Sequence, residues 1–202
     1  MSVRGRRLVI VGCGIGVVLV GVRVRRAGPV WPDLPISDAL QSLSPGLDGT
    51  MRTISSLGSI YGVTVIGGVV VFTLLRRRRF RDALLVAATG SAELLTFVIR
   101  LATERPRPSP ALVEVIESGP GTSFPSGHAA DAAALAVVIA HLVGSDHRRR
   151  VLLWSSLALL AAASGVSRVY LGAHWPSDVI GGYLTGGVVG FALGGLVSGG
   201  QE

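Results

Sequence analysis

Six apolar runs dominate the chain, at approximately 8–22, 54–75, 82–99, 128–144, 151–167 and 177–198. A helix needs about 20 apolar residues to cross a bilayer. The second and sixth runs reach that length. The first, at about 15 residues, and the fourth and fifth fall short of it, and short helices still span with snorkelling ends or local thinning. Only 15% of the 202 residues are charged, against roughly a quarter in a soluble domain. With a mean hydropathy of +0.58, the chain carries more apolar surface than one small globule can hide. The expectation is an all-α polytopic membrane protein, a six-transmembrane-helix bundle forming one domain over 1–202.

The basic residues orient it. All 19 are arginine, and the net charge is +7. They fall in bursts that flank apolar runs: Arg4, Arg6 and Arg7; Arg23, Arg25 and Arg26; Arg76 to Arg79 with Arg81; Arg148 to Arg150. Basic clusters in short loops mark the cytoplasmic face. The bursts at 76–81 and 148–150 therefore lie inside, as do both termini. The loops 23–53, 100–127 and 168–176 lie outside, and "RVRR" at 23–26 goes against the charge rule. An uncleaved anchor or a cleaved signal peptide is the alternative for 8–22, although no small-residue cleavage site is evident. No aromatic-interleaved basic strip is present, which excludes a nucleic-acid partner. Cys13 stands alone, so no disulfide framework or thiolate metal site can be built.

The outer loop 27–53 is broken by Pro and Gly, places Trp31 at the membrane interface, and has room for a short surface helix around 37–43. The sixth run reads "IGGYLTGGVVGFALGGLVSGG". Small residues three or four apart permit close helix contact in lipid. Packing within the chain is the first reading of this stripe and a homodimer face the second.

Polar residues collect at the outer ends of these runs. "RLATERPRP" supplies Arg100, Arg105 and Arg107; "SFPSGHAAD" supplies Ser126, Gly127 and His128; "SRVYLGAHWPSD" supplies Ser167, Arg168, His174 and Asp178. Two crossings separate His128 from Ser167, so both sides of the cluster return to one face. Arginine forks match phosphate oxygens. A helix start presents free N–H groups to an anion, with Ser126 as the N-cap candidate and Gly127 permitting close approach. Two histidines add proton transfer and nucleophilic attack near neutral pH. Asp178, four residues after His174, can fix its tautomer.

These residues resemble the type 2 phosphatidic acid phosphatase family of membrane lipid phosphatases, which shares its site with vanadium-dependent haloperoxidases. The family's three motifs are Lys-x6-Arg-Pro, Pro-Ser-Gly-His and Ser-Arg-x5-His-x3-Asp. The second is intact at Pro125 to His128 and the third at Ser167, Arg168, His174 and Asp178. The first has Arg100 in place of lysine, followed by Arg107 and Pro108, in a chain with no lysine anywhere. The match covers a core at 100–178.

The resemblance implies hydrolysis of a lipid phosphate or diphosphate through a phosphohistidine, without metal or other cofactor. The substrate is of the undecaprenyl diphosphate, phosphatidate or phosphatidylglycerol phosphate type. His174 is then the nucleophile, Asp178 orients it, and His128 protonates the leaving oxygen. Arg100, Arg107, Arg168, Ser126 and Gly127 hold the phosphate oxygens. The expected location is the bacterial plasma (inner) membrane, in contact with its lipids, with the site on the periplasmic or extracellular face.

A lipid-diphosphate-dependent phosphotransferase uses the same site and is the alternative. A haloperoxidase fits less well, since those are larger and soluble. A non-enzymatic lipid-binding subunit leaves the His–His–Asp set unexplained. Glu93, two helical turns before Arg100, divides evenly between a functional and a packing role. Asp131 reads as a helix-dipole partner in its first turn, and Arg105 with Glu104 as a local pair or headgroup contact. His141 and His147, at the cytoplasmic end, are bystanders.

Overall fold

Helix α7 (Gly127–His141) is the axis on which the other elements pack. Its sequence, GHAADAAALAVVIAH, is rich in alanine, so neighbouring backbones approach closely. Against it lies α9 (Pro176–Gly194), with glycine at 182, 186 and 190 on one helical stripe. A Cβ at these positions would collide with Ser126, Ala130 and Val137 of the α7 segment. The glycine stripe is thus used for packing within the chain.

The structure, a computed structural model, describes residues 2–43, 46–142 and 147–197. Every regular element among them is helical: α1 (Val3–Val24), α2 (Asp33–Ser42), α3 (Asp48–Gly58), α4 (Ile60–Arg76), α5 (Phe80–Ala87), α6 (Ser91–Thr103), α7, α8 (His147–Tyr170) and α9. A single 3₁₀ turn, Ala88–Gly90, joins α5 to α6. Among the described residues, three stretches are long and apolar enough to cross a membrane: Val3–Val24, Phe80–Thr103 and Val151–Tyr170. The α3–α4 pair is a fourth if its two halves count as one span, and α7 is a shorter apolar helix. The chain is an all-helical membrane protein. Residues 143–144 of the fourth run, 198 of the sixth, and Ser145 and Asp146 of the intervening loop lie outside the described residues.

The second apolar run is not continuous. Ser59 is extended and caps α4 by accepting the Gly62 N–H at 3.2 Å, and the two axes differ by 50°. A serine here stops one helix and starts another, because its hydroxyl satisfies an orphan N–H of the new first turn. Gly58 seats against the Ser164 side chain so closely that a Cβ would collide with it. The bend carries α3 to the end of α8, where Ser55 meets Arg168 at 2.8 Å. The surface helix expected near 37–43 begins earlier, at Asp33.

Helix α1 lies along α9. Its Arg6 donates to the Gly195 carbonyl at 2.9 Å, while Leu8, Val11, Ile15, Val18, Leu19 and Val22 remain exposed. Apolar side chains left uncovered along a helix of this length are satisfied by lipid. At the other end of α1, Arg26 pairs with Glu104, just past α6, at 2.7 Å.

Candidate active site

Four pieces of chain converge at the start of α7. Helix α6 ends at Thr103, where Glu104 takes a left-handed cap conformation, and it delivers Arg100 in its last turn. The loop 104–126 folds over the top. Its Ile116 and Glu117 amides bond the Leu171 carbonyl at 3.0 and 2.9 Å, and Ser123 bonds the Arg105 carbonyl at 2.9 Å. Gly172, at φ 67°, brings its turn against the Glu114 backbone, where no side chain fits. Helix α8 supplies Arg168, the turn supplies His174, and Pro176 at the first position of α9 sets the next helix with Asp178 in its first turn.

A cavity of about 210 Å³ opens among Arg100, Arg107, Gly127, His128, Arg168 and His174. Sequence reasoning picked out all six. Arg107 is fixed by its Nε and Nη2 donating to the Pro120 carbonyl at 3.3 and 3.1 Å, and by Nη1 donating to the Ala173 carbonyl at 2.9 Å. The same Nη1 lies 3.3 Å from His174 Nε2. A guanidinium only donates, so Nε2 presents its lone pair and the ring proton of neutral His174 sits on Nδ1. Nδ1 faces Asp178 Oδ2 at 3.6 Å, past hydrogen-bond reach, so the carboxylate acts on the ring through charge.

His174 is 3% exposed, and burial lowers its pKa to about 4. The Asp178 carboxylate opposes that shift, and the charges of Arg107 and Arg168 add to it. The imidazole is therefore neutral and nucleophilic at neutral pH. Burial likewise lowers Arg107 to about 10, reinforced by the charges of Arg100 and Arg168. Arg100 donates from Nε to the Pro125 carbonyl at 3.2 Å and lies 3.4 Å from Glu93. Arg168 is held by Glu117 at 2.7 Å and by Ser55.

Three expectations need correction. Ser126 occupies the N-cap position of α7 but makes no capping bond; its Oγ is buried without a partner, and its amide bonds the Asp178 carbonyl at 3.0 Å. Asp131 lies beyond the first turn of α7, so it is not placed as a dipole partner. Arg105 makes no local pair with Glu104 and reaches no headgroup: it is wholly buried, bonding Asp178 Oδ1, Ser177 Oγ at 2.8 Å and Asp33 Oδ2 at 2.6 Å.

Asp33, also wholly buried, further accepts the Ser177 N–H at 2.9 Å and so caps the start of α9. Asp178 is bound twice over, by Arg105 and by the Trp175 N–H at 2.9 Å. The row Asp33–Arg105–Asp178 stands directly behind His174. Asp33 and Glu117 are the residues that sequence reasoning missed, and Arg105 is the one whose role it misread. Among the described residues no group of three or more His, Cys, Asp or Glu is arranged to hold a metal ion.

Residues 81–198 match the model of the PAP2 superfamily. The chain is 34% identical over 151 residues to phosphatidylglycerophosphatase B of Bacillus subtilis, covering 70% of this chain and 71% of that one. It is 33% identical over 162 residues to decaprenylphosphoryl-5-phosphoribose phosphatase of Mycobacterium tuberculosis, covering 78% and 84%. In fold it is similar to the crystal structure of a transmembrane PAP2 type phosphatidylglycerolphosphate phosphatase from Bacillus subtilis. The TM-score is 0.81, with 24% identity and coverage of 93% of this chain and 94% of that one. The chain belongs to the PAP2 superfamily and is a membrane phosphoric ester hydrolase, a lipid phosphatase.

Proposed function

We propose that the protein cleaves the phosphate from a lipid by way of a phosphohistidine on His174, without a metal, in one membrane-embedded domain. His174 Nε2 attacks phosphorus as the bond to the leaving oxygen breaks. His128 gives that oxygen its proton and then takes one from the water that attacks the phosphohistidine. Arg100, Arg107, Arg168, the Ser126 hydroxyl and the Gly127 amide hold the three equatorial oxygens, where charge accumulates in the transition state. Asp178 stabilises the imidazole as its charge rises. The observation that carries this reading is Arg107 Nη1 at 3.3 Å from His174 Nε2, with Asp178 at the other ring nitrogen. The attacking atom and a phosphate-binding cation are thereby neighbours.

The names of the relatives support a substrate of the phosphatidylglycerol phosphate or undecaprenyl diphosphate type, and the family resemblance adds phosphatidate. The topology is a bundle of six crossings in a bacterial plasma membrane, with both termini cytoplasmic and the site on the outer face. Two observations support this orientation. Arg6 bonds Gly195, so the N-terminal arginines sit beside the end of α9 that lies away from His174. Leu74, just before the arginine burst at 76–81, packs near Val138 toward the far end of α7.

The test is phosphate release from a lipid phosphate in detergent with EDTA present. The reading expects turnover that falls at least about a thousandfold in His174→Ala. Full activity in that variant rules His174 out as nucleophile.

A further inference from the structure

Two acidic side chains line the same cavity as the arginines, and the steps above use neither. Glu93 lies on α6, seven residues before Arg100, and Asp131 on α7, four after Gly127. Those offsets are about 10 Å and about 6 Å along their helices, both away from the loop end of the site and into the bundle. Asp131 therefore sits deeper than the guanidinium groups, while the Glu93 side chain reaches back to Arg100 and Gly127.

The two carboxylates differ in their partners. Glu93 lies 3.4 Å from Arg100, and its Oε2 packs so close to the Gly127 Cα that a Cβ there would stand 2.6 Å from it. Asp131 is 5% exposed, and its Oδ1 is buried with no hydrogen-bond partner. A buried carboxylate oxygen without a donor is costly. Leaving such a group at the wall of a binding cavity makes sense where a ligand brings the donor.

Position identifies that ligand. Asp131 is three residues after His128, so the two share a face of α7. His128 is the group proposed to protonate the leaving oxygen. Whatever carries that oxygen must extend past His128 toward Asp131 and Glu93. A leaving group whose second phosphate is joined directly to the leaving oxygen puts that charge beside the two carboxylates and is repelled, whereas in a glycerol-type leaving group the phosphodiester stands three carbons farther off. A diacylglycerol leaving group brings no donor. A leaving group with a free hydroxyl next to the ester carbon donates to Asp131, and one with two, as in a sugar, donates to both.

On the basis of the phosphatase reading above, we infer that Glu93 and Asp131 form a hydroxyl-accepting subsite. The preferred substrate is then a lipid phosphomonoester with a glycerol- or sugar-like leaving group, in preference to phosphatidate or a diphosphate. This assigns the specificity of the site to two residues outside the three motifs.

The experiment compares kcat/KM in detergent for four probes: phosphatidylglycerol phosphate, its analogue with propanediol phosphate in place of glycerol phosphate, phosphatidate and farnesyl diphosphate. In the unmodified protein the hydroxylated lipid leads its deoxy analogue by about tenfold or more, the range for a hydrogen bond to a charged acceptor. Asp131→Ala, which orphans no partner, shrinks that ratio to within about twofold. A hydroxylated-to-deoxy ratio near one overturns the inference, as does a lead for farnesyl diphosphate, or a ratio that Asp131→Ala leaves unchanged. The comparison within the unmodified protein decides the matter even if the variant does not fold. Release of phosphate from none of the four overturns the phosphatase reading itself, and the inference with it.

Discussion

Arg105 donates to Asp178 in a pair from which water is excluded: both side chains are fully buried, and the same guanidinium also bonds Asp33. Three charged groups from three parts of the chain thus form one row, and its last member faces the ring of His174. One cation between two carboxylates leaves a net negative charge in low dielectric, and the Ser177 and Trp175 amides share it. The row ties the amphipathic segment α2 to the start of α9, so it fixes the backbone that carries the proposed nucleophile.

Arg105→Ala leaves Asp33 and Asp178 without their cation. Removing one partner of a buried pair costs about 3–5 kcal/mol. Thermal unfolding in detergent should show a marked fall in Tm, and adding Asp33→Asn to Arg105→Ala should recover part of it. A Tm equal to that of the unmodified protein contradicts the assignment.

The acidity of His174 makes a second prediction. Burial holds its pKa near 4 rather than 6.5, so the folded ring stays neutral as pH falls through the range in which an exposed histidine is protonated. The unfolded ring does take up a proton there. Its contribution to stability is complete above about 6.5 and is lost progressively as pH falls toward 4. In the kcat/KM profile, the acid limb belonging to the nucleophile should lie near pH 4. A limb near 6.5 that persists in His128→Gln places the titration on a normally solvated His174 and contradicts its burial.

Glycines in α1 and α9 have opposite surroundings. A Cβ at Gly186 meets the backbone of Ala130, whereas one at Gly14 meets nothing within 4 Å. Gly186→Ala should lower the yield of folded, monodisperse protein by separating α7 from α9. Gly14→Ala should leave it unchanged or raise it slightly, since alanine favours helix by about 1 kcal/mol. Size-exclusion chromatography of the two variants checks this, and equal yields contradict the close α7–α9 packing.

Much of this was legible in the sequence. The apolar runs located the long helices, and the motif spacing gave the six residues around the cavity because five of them sit at helix ends and a short turn and Arg107 follows α6 within four residues. The break at Ser59 was not legible, because a serine inside an apolar run is compatible with a continuous span; the bend goes with the tertiary contact of Gly58 with Ser164, which no local pattern records. Asp33 was missed, and the role of Arg105 misread, for a related reason. Their partners lie 72 and 73 residues away in the chain, and no local period records such a contact. Arg105 resembled a surface arginine because two other arginines stand within five residues of it. Asp131 looked like a helix-start acid, but in a helix that begins at Gly127 it is the fifth residue, past the first turn.

The account turns on a covalent bond between phosphorus and His174. The direct measurement is to mix the protein with lipid bearing a radiolabelled phosphate, quench within milliseconds in alkali and map the label by peptide mass. The prediction is one phosphate per chain on His174, stable in alkali, labile in acid and absent from His174→Ala. Turnover at full rate with no label on that imidazole contradicts it.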